Sequence, residues 1–582
     1  MAGFGQSWRR GAGWGTSGGW RSRLAVWRAS RGPVAQGFTS SPEPRSIGLY
    51  ARGRQLVAGN YQFAGHLIQA PGQGLWDITP PDTDFAAETQ GFAWLDDLAA
   101  VGDAGARTRA QGWTMEWITR FGRGKGRGWS PDLTGRRVIR WIHHAIFLLN
   151  GADRADNDAY YAALTLQTRY LARNWHRAAP GLPRFEALTG LVYAGLSLIG
   201  MDALVGPAVA ALADEALREI DAGGAIATRN PEELLEVFTL LTWAALALSD
   251  AGRPVPAAHL AAIERIAPTL RMLRHADGGL ARFHGGGRGM EGRLDHALAG
   301  AGVRPGPARV QAMGFVRLSA GRTTLMMDAA APPDGRAGAS AHASTLGFEL
   351  TSGRRPLIVN CGSGAPFGTD WRRAGRATPS HSTLAIEGVS SSRFGEGGGE
   401  ILTDRAKVLT MRQMTTEEGK GVHAAHNGWA VTHGLSHARD LALSEDGRML
   451  SGADTLIALN PQGNQRFERV LGVSGLKGVA FSIRFHLHPD ADATLDMGGN
   501  AVSVALKSGE IWVFRQDGTG RLALEPSVYL ERGRLHPRAA QQIILSGRAI
   551  ATQTRIGWTL AKAQDTPLAI RDLERGDTYA SP

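Results

Sequence analysis

Apolar positions recur every three to four residues through most of the first half of the chain and every two residues through most of the second. In the first half, Val138, Ile139, Trp141, Ile142, Ile146 and Phe147 fall along one helical stripe. Ser130-Pro131-Asp132 ahead of them reads as a helix start, with Ser as the N-cap, proline at the first helical position and an acid in the first turn. Further helices are predicted over 158–176, 185–199, 207–220, 232–249 and 257–275, and an apolar stripe runs through 85–100. Asn230-Pro231-Glu232-Glu233 repeats the start signal, with Asn as the cap and acids at the positive helix end. Helices of this length joined by short Gly, Pro and Asp loops make an array of antiparallel αα-hairpins, a pattern that a bundle and a solenoid share.

The period changes after a glycine-rich stretch at 282–293 and a second break at 302–307. Phe315–Leu318 and Thr323–Met327 flank Ala320-Gly321 as a hairpin. Leu346, Phe348 and Leu350 alternate with Gly347 and Glu349, and Leu357-Ile358-Val359 returns after the Ser352-Gly353 turn. Asp446-Gly447, Ser508-Gly509 and Asp517-Gly518 mark further tight turns. In 481–488 the aromatic and aliphatic residues take one face and Arg484, His486 and His488 the other, which reads as solvated. The resulting partition is a disordered basic leader over 1–47, a helical domain over 48–280, a glycine-rich connection over 281–310, a β domain over 311–560 and a loose tail over 561–582.

Composition narrows the class without naming it. With 582 residues, 43% hydrophobic and 20% charged, the chain is long enough for two large cores. The net charge of +11 favours an anionic partner, whether acidic glycan, nucleic acid or anionic membrane. Cys361 is the single cysteine, which excludes an intrachain disulfide and any cysteine-built metal site. The first 41 residues carry Arg9, Arg10, Arg21 and Arg23 but no apolar core of signal-peptide length, and no stretch approaches the length of a membrane span. Nucleic-acid binding through this basic leader is the weakest expectation, since no recognised nucleic-acid motif accompanies it.

The second half contains HASTLGFEL from His342, VNCG around Asn360, WRRAGRATPSHSTL around His381, HNGW from His426 and HARDLALSEDGRMLSG from His437. These segments, in this order, resemble the heparinase II/III family of polysaccharide lyases. The resemblance implies an N-terminal incomplete α/α toroid followed by a C-terminal antiparallel β-sandwich. It also implies eliminative cleavage of a uronic-acid-containing glycan such as a glycosaminoglycan, and a cell-envelope location, against which the missing signal segment speaks for the cytoplasm.

Elimination requires a group that neutralises the uronate carboxylate, a base for the adjacent proton and an acid for the departing 4-oxygen. By resemblance these come from an Asn-His pair on a toroid helix, a Tyr on a later helix, a His in an H-x-H-x-D stretch and a metal triad. Here Leu182 and Pro183 stand in place of Asn and His, 229–233 holds no tyrosine, and Ser340 and Ser344 replace the first His and the Asp of the triplet stretch. His342 and His381 match the metal-binding histidines, while Asn360 stands in place of the aspartate. These three are the candidate ligands for a structural zinc or other divalent cation, although a neutral amide is a poor zinc ligand. Otherwise the two histidines bond across strands or do acid–base work themselves.

The candidate catalytic set is therefore His342, His381, His426 and Glu186. The candidate substrate contacts are Arg184, Arg372, Arg373, Arg376 and Trp429, arginines to hold carboxylates bidentately and an indole on which a sugar can stack. Two readings follow: a lyase with a rebuilt site acting on an acidic polysaccharide, or a non-catalytic glycan-binding or cell-envelope assembly protein that kept the fold.

Overall fold

The computed structural model describes residues 18–39, 43–395, 399–417 and 419–565. Residues 1–17 of the expected leader, with Arg9 and Arg10, and residues 566–582 of the expected tail lie outside the described residues.

The helical half is an incomplete ring of hairpins. The helices Pro131–His143, Leu182–Ser197 and Pro231–Asp250 form its inner wall, and Arg154–Asn174, Val205–Glu219 and Ala257–Met272 pack outside them. Glycine sets the closest approach inside the wall. A Cβ on Gly190 would meet Gly135 Cα at 2.6 Å, and one on Gly135 would meet the Glu186 carbonyl at 2.3 Å, so the first two inner helices cross almost backbone to backbone. Asn230 caps the third inner helix as its sequence predicts, accepting the Glu232 and Glu233 amides at 3.0 and 3.2 Å. Ser130 occupies the cap position of the first, but its hydroxyl makes no cap bond.

Several boundaries differ from the sequence reading. The helix Gly18–Ala29 lies inside the expected leader, with Val26 and Ala29 in the helical core. The stripe over 85–100 divides into Thr83–Gln90 and Trp94–Val101, because Phe92 turns into the left-handed region at φ 61°. The first inner helix ends at His143, and a short helix Ala145–Leu149 leaves Ile146 exposed rather than in the stripe. The glycine-rich connection carries the helix Arg293–Ala301, whose Leu294 and Ala297 join the core, so it is packed rather than a hinge. The expected tail begins inside the strand Gln553–Gln564.

The β half is a sandwich of two antiparallel sheets. One runs 408–416, 419–429, 435–444, 449–457, 553–564, 511–516, 501–506 and 491–496 in spatial order, and the other runs 521–529, 538–549, 479–487, 355–359, 348–352, 323–328, 315–320 and 311–312. Period-two alternation in Phe315–Ala320 and Thr323–Asp328 serves two cores at once. Val316, Leu318, Leu325 and Met327 face the sandwich interior, whereas Phe315 and Met326 belong to the helical core. That second sheet is covered on one face by its partner sheet and over part of the other by the helices, so its middle strands are buried on both sides.

Candidate functional site

Where the helical half meets this sheet, charged side chains enter an otherwise apolar contact. Arg229, just before the helix Pro231–Asp250, has a left-handed φ of 51° and reaches Asp328 Oδ1 at 2.5 Å. It also donates to the carbonyls of Met313, Gly314 and Ala331. Asp328 ends the strand Thr323–Asp328 and accepts the Ser344 hydroxyl at 2.6 Å. His284, also left-handed at φ 48°, accepts the His342 amide at Nδ1 and turns Nε2 toward Asp328 Oδ2 at 3.3 Å. Burial alone would raise the Asp328 carboxyl, but Arg229, His284 and Ser344 outweigh it and hold it well below the usual carboxylate range.

The histidines found from the sequence sit against this cluster. His342 Nδ1 and His381 Nε2 lie 3.1 Å apart, and His381 Nδ1 donates to the Ala377 carbonyl at 2.9 Å. That second bond fixes the tautomer, so the His342 Nδ1–H donates to His381. Both rings are buried. Burial pushes His342 well down, with His381 adding to it, and pushes His381 down to about 4. Both are neutral at pH 7. A base whose conjugate acid dissociates near 4 is poorly matched to removing a carbon-bound proton at neutral pH.

Asn360 is committed elsewhere. Its Oδ1 accepts the Ser382 amide at 3.0 Å and its Nδ2 donates to Glu349 at 3.4 Å. With the two imidazoles bonded to one another and the amide engaged at both ends, the three do not fit a divalent cation in this arrangement. Among the described residues, no group of three or more His, Cys, Asp or Glu is placed to hold a metal.

The remaining candidates separate. Arg376 is buried beside His342, donating to the carbonyls of Ala341 and Gly338 with its guanidinium over the Phe394 ring. Arg372 pairs with Glu400 at 3.3 Å and Arg373 lies over the same Phe394 ring, both at the outer rim. Trp429 is not a sugar platform. It is fully buried in the sandwich core and donates Nε1 to the Val389 carbonyl at 2.8 Å. His426 is likewise internal: its Nδ1 accepts the Gly428 amide, so Nε2–H meets His437 at 3.3 Å, and His437 donates to Asp454 at 2.7 Å. Arg184 faces outward from the ring, held by Glu215 at 3.1 Å. Glu186 faces inward and takes both guanidinium nitrogens of Arg136 at 2.9 Å. His486, expected on a solvated face, is buried between Ser527 and the Pro379 carbonyl.

A cleft of about 230 Å³ opens in the ring among Arg52, Arg136, Arg140, Arg293, His296 and Asp97. Its arginines are paired, Arg140 with Asp96 at 3.3 Å, Arg293 with Glu236 at 2.5 Å and Arg52 with Asp97 at 3.6 Å. Burial raises the Asp97 carboxyl to about 6 against the opposing pull of Arg52. Burial likewise raises Glu233, on the third inner helix, to about 6.

The residues missed from the sequence, Arg229, His284, Asp328 and Glu349, have one signal in common. Asp328 and Glu349 sit in apolar strands that are buried throughout, where an acid persists only with a dedicated partner. His275 at 3.1 Å and the Arg282 amide at 3.1 Å supply that partner to Glu349 from the helical side.

A family model described as Heparinase II/III-like, C-terminal, matches residues 302–559. FtsZ-localized protein C of Caulobacter vibrioides (strain NA1000 / CB15N) is 30% identical over 567 residues, covering 95% of this chain and 94% of that protein. Among solved structures, heparinase III superposes with a TM-score of 0.68 at 11% identity, over 94% of this chain and 89% of that one. A heparan sulfate lyase HepC mutant from Pedobacter heparinus gives 0.57 at 13% identity, over 94% and 88%. At these identities the structural likeness establishes the shared architecture of helical toroid and β-sandwich.

Proposed function

The chain belongs to the heparinase II/III-like family, and from that premise we propose that it is a non-cleaving member which associates with FtsZ at the site of cell division and holds an acidic glycan in the arginine-lined cleft. The observation that carries this reading is the state of the remaining histidines: His342 and His381 are buried, neutral and bonded to one another. Around them Leu182, Pro183, Ser340 and Ser344 occupy the places where the resemblance puts the lyase groups. The near full-length relationship to FtsZ-localized protein C supports the division-site half of the reading. The paired arginines of the cleft support the glycan half, since ion pairs that already hold their geometry present donors at little further entropic cost.

The test has two arms on purified full-length protein. A panel of acidic glycans is assayed for binding by calorimetry and for the ultraviolet absorbance of an unsaturated uronate. Filaments of purified FtsZ are sedimented with the protein. Glycan binding without absorbance change, together with co-sedimentation, is the expected outcome. Absorbance that rises with wild type and stays flat with His381→Ala replaces this reading with a lyase that uses a rebuilt site. No recovery in the FtsZ pellet removes the division-site half.

A further inference from the structure

The sandwich carries an apolar, basic knob that no part of the described fold covers. The helix Pro461–Val473 packs on the sandwich through Phe467, and its last residue, Val473, is 88% exposed. The turn after it, Ser474-Gly475-Leu476-Lys477-Gly478, leads into the strand Val479–Leu487. Leu476 in this turn is 72% exposed, and Ile550, against Gly478, is 66% exposed.

Leu476 is the informative residue. Its φ is 61°, in the left-handed region that favours glycine, and glycines stand one residue before it and two after. The fold draws no packing from its side chain, and the backbone would be more relaxed with glycine there. A branched apolar residue held in strain and presented to water points to a contact outside the described chain.

The charge around it has one sign. At about 100° per residue, Arg466 and Arg469 share the helix face of Val473, while Glu468 falls about 140° away. Arg466 donates to the carbonyl of Val431, itself an exposed apolar residue, which extends the patch. Lys477 follows Leu476, and Arg548 donates to the Lys477 carbonyl at 3.1 Å and lies on the same rim. No carboxylate pairs with Arg469, Lys477 or Arg548 among the described residues.

Segments of this chain fit poorly here. Residues 1–17 are basic, with Arg9 and Arg10 and no acid. Residues beyond Asp565 leave from the far end of the twelve-residue strand Gln553–Gln564, whose start lies beside Ile550. That strand spans about 36 Å at roughly 3.3 Å per residue. Leu568, Ile570 and Leu573 follow within nine residues of Gln564 and reach at most about 32 Å. A symmetric contact with a second copy would set the same cations against each other.

We propose that Val473, Leu476 and Ile550, ringed by Arg469, Lys477 and Arg548, dock a short acidic segment of a partner protein bearing apolar side chains, and that this partner is FtsZ. The identity of the partner rests on the function proposed above; the chemistry of the surface does not. The knob is a few side chains wide, the footprint of a short segment.

The test measures co-sedimentation of full-length protein with FtsZ filaments, and with vesicles of phosphatidylglycerol or of phosphatidylcholine. Leu476→Gly removes the side chain and relieves the backbone, so it folds with an unchanged or raised Tm while losing about tenfold or more in FtsZ affinity. Lys477→Glu weakens binding and flattens its salt dependence. Leu495→Asp, at another exposed apolar position, leaves it unchanged. Wild-type binding that survives both Leu476→Gly and Lys477→Glu overturns the docking site while leaving the FtsZ association intact. Absence of wild-type binding overturns both. Loss of phosphatidylglycerol vesicle binding alone in the variants assigns the knob to a lipid surface and overturns the protein partner.

Discussion

At the scale of single residues, the buried histidines set the response to acid. Burial holds His381 and His486 down to about 4 and His143 and His488 to about 3, against roughly 6.5 in an unfolded chain. Between those limits the unfolded state takes up protons that the folded state refuses. Stability is therefore complete above about pH 6.5 and falls as pH drops, by up to about 1.4 kcal/mol per pH unit for each such histidine. Asp97 and Glu233, held up near 6, act with the opposite sign but are outnumbered. Denaturation midpoints should drop from pH 7 to pH 5, and His486→Gln should flatten the slope; a midpoint that rises on acidification would contradict the burial described. Arg439 offers a second check. It is fully buried, pairs with Asp454 at 2.7 Å and donates to the carbonyls of Leu346 and Ser382. Arg439→Met strands the Asp454 carboxylate and should cost about 3–5 kcal/mol in urea unfolding. These cases explain which site residues could be read from the sequence. His342 and His381 were legible because imidazoles at a strand rim stand out by type. Trp429, His426 and Arg184 were misplaced because residue type does not reveal what fills the other side of a ring or guanidinium.

At the scale of elements, the inner helices depend on two residues that carry no side chain. Gly190→Ala would press a methyl into Gly135 Cα at 2.6 Å and force Pro131–His143 and Leu182–Ser197 apart. The expected cost is about 1–3 kcal/mol, read as a lower Tm with intact far-ultraviolet circular dichroism, whereas Gly206→Ala, which meets nothing, should be neutral or better. Most helices and strands were legible here because a long amphipathic period reports its own burial. The breaks were not. Phe92 and His144 interrupt apolar stripes by backbone turns that no glycine or proline announces. The helix Gly18–Ala29 carries scattered tryptophans and arginines, and its order comes from packing on the neighbouring helix Arg154–Asn174 rather than from its own pattern.

At the scale of the whole molecule, the two halves are joined by charge as well as by shared core. Arg229 reaches Asp328, His275 reaches Glu349, and Arg282 holds the carbonyls of Asn360, Cys361 and Leu530 with its guanidinium over Tyr529. Calorimetry should show a single unfolding transition for wild type, and Arg229→Met should separate it into two by leaving Asp328 buried without its cation. The placement of the strand Gln553–Gln564 reaches further. It follows the other strands in sequence, yet it lies inside its sheet, between Met449–Ile457 and Ile511–Gln516. During synthesis, then, the ring of helices emerges with its contacts largely local, while two blocks of the sandwich wait with open edges for the strand that joins them. A ribosome that stalls before residue 553 would release a folded ring attached to unpaired sheet edges, and the cell's chaperones would meet this protein chiefly in that interval.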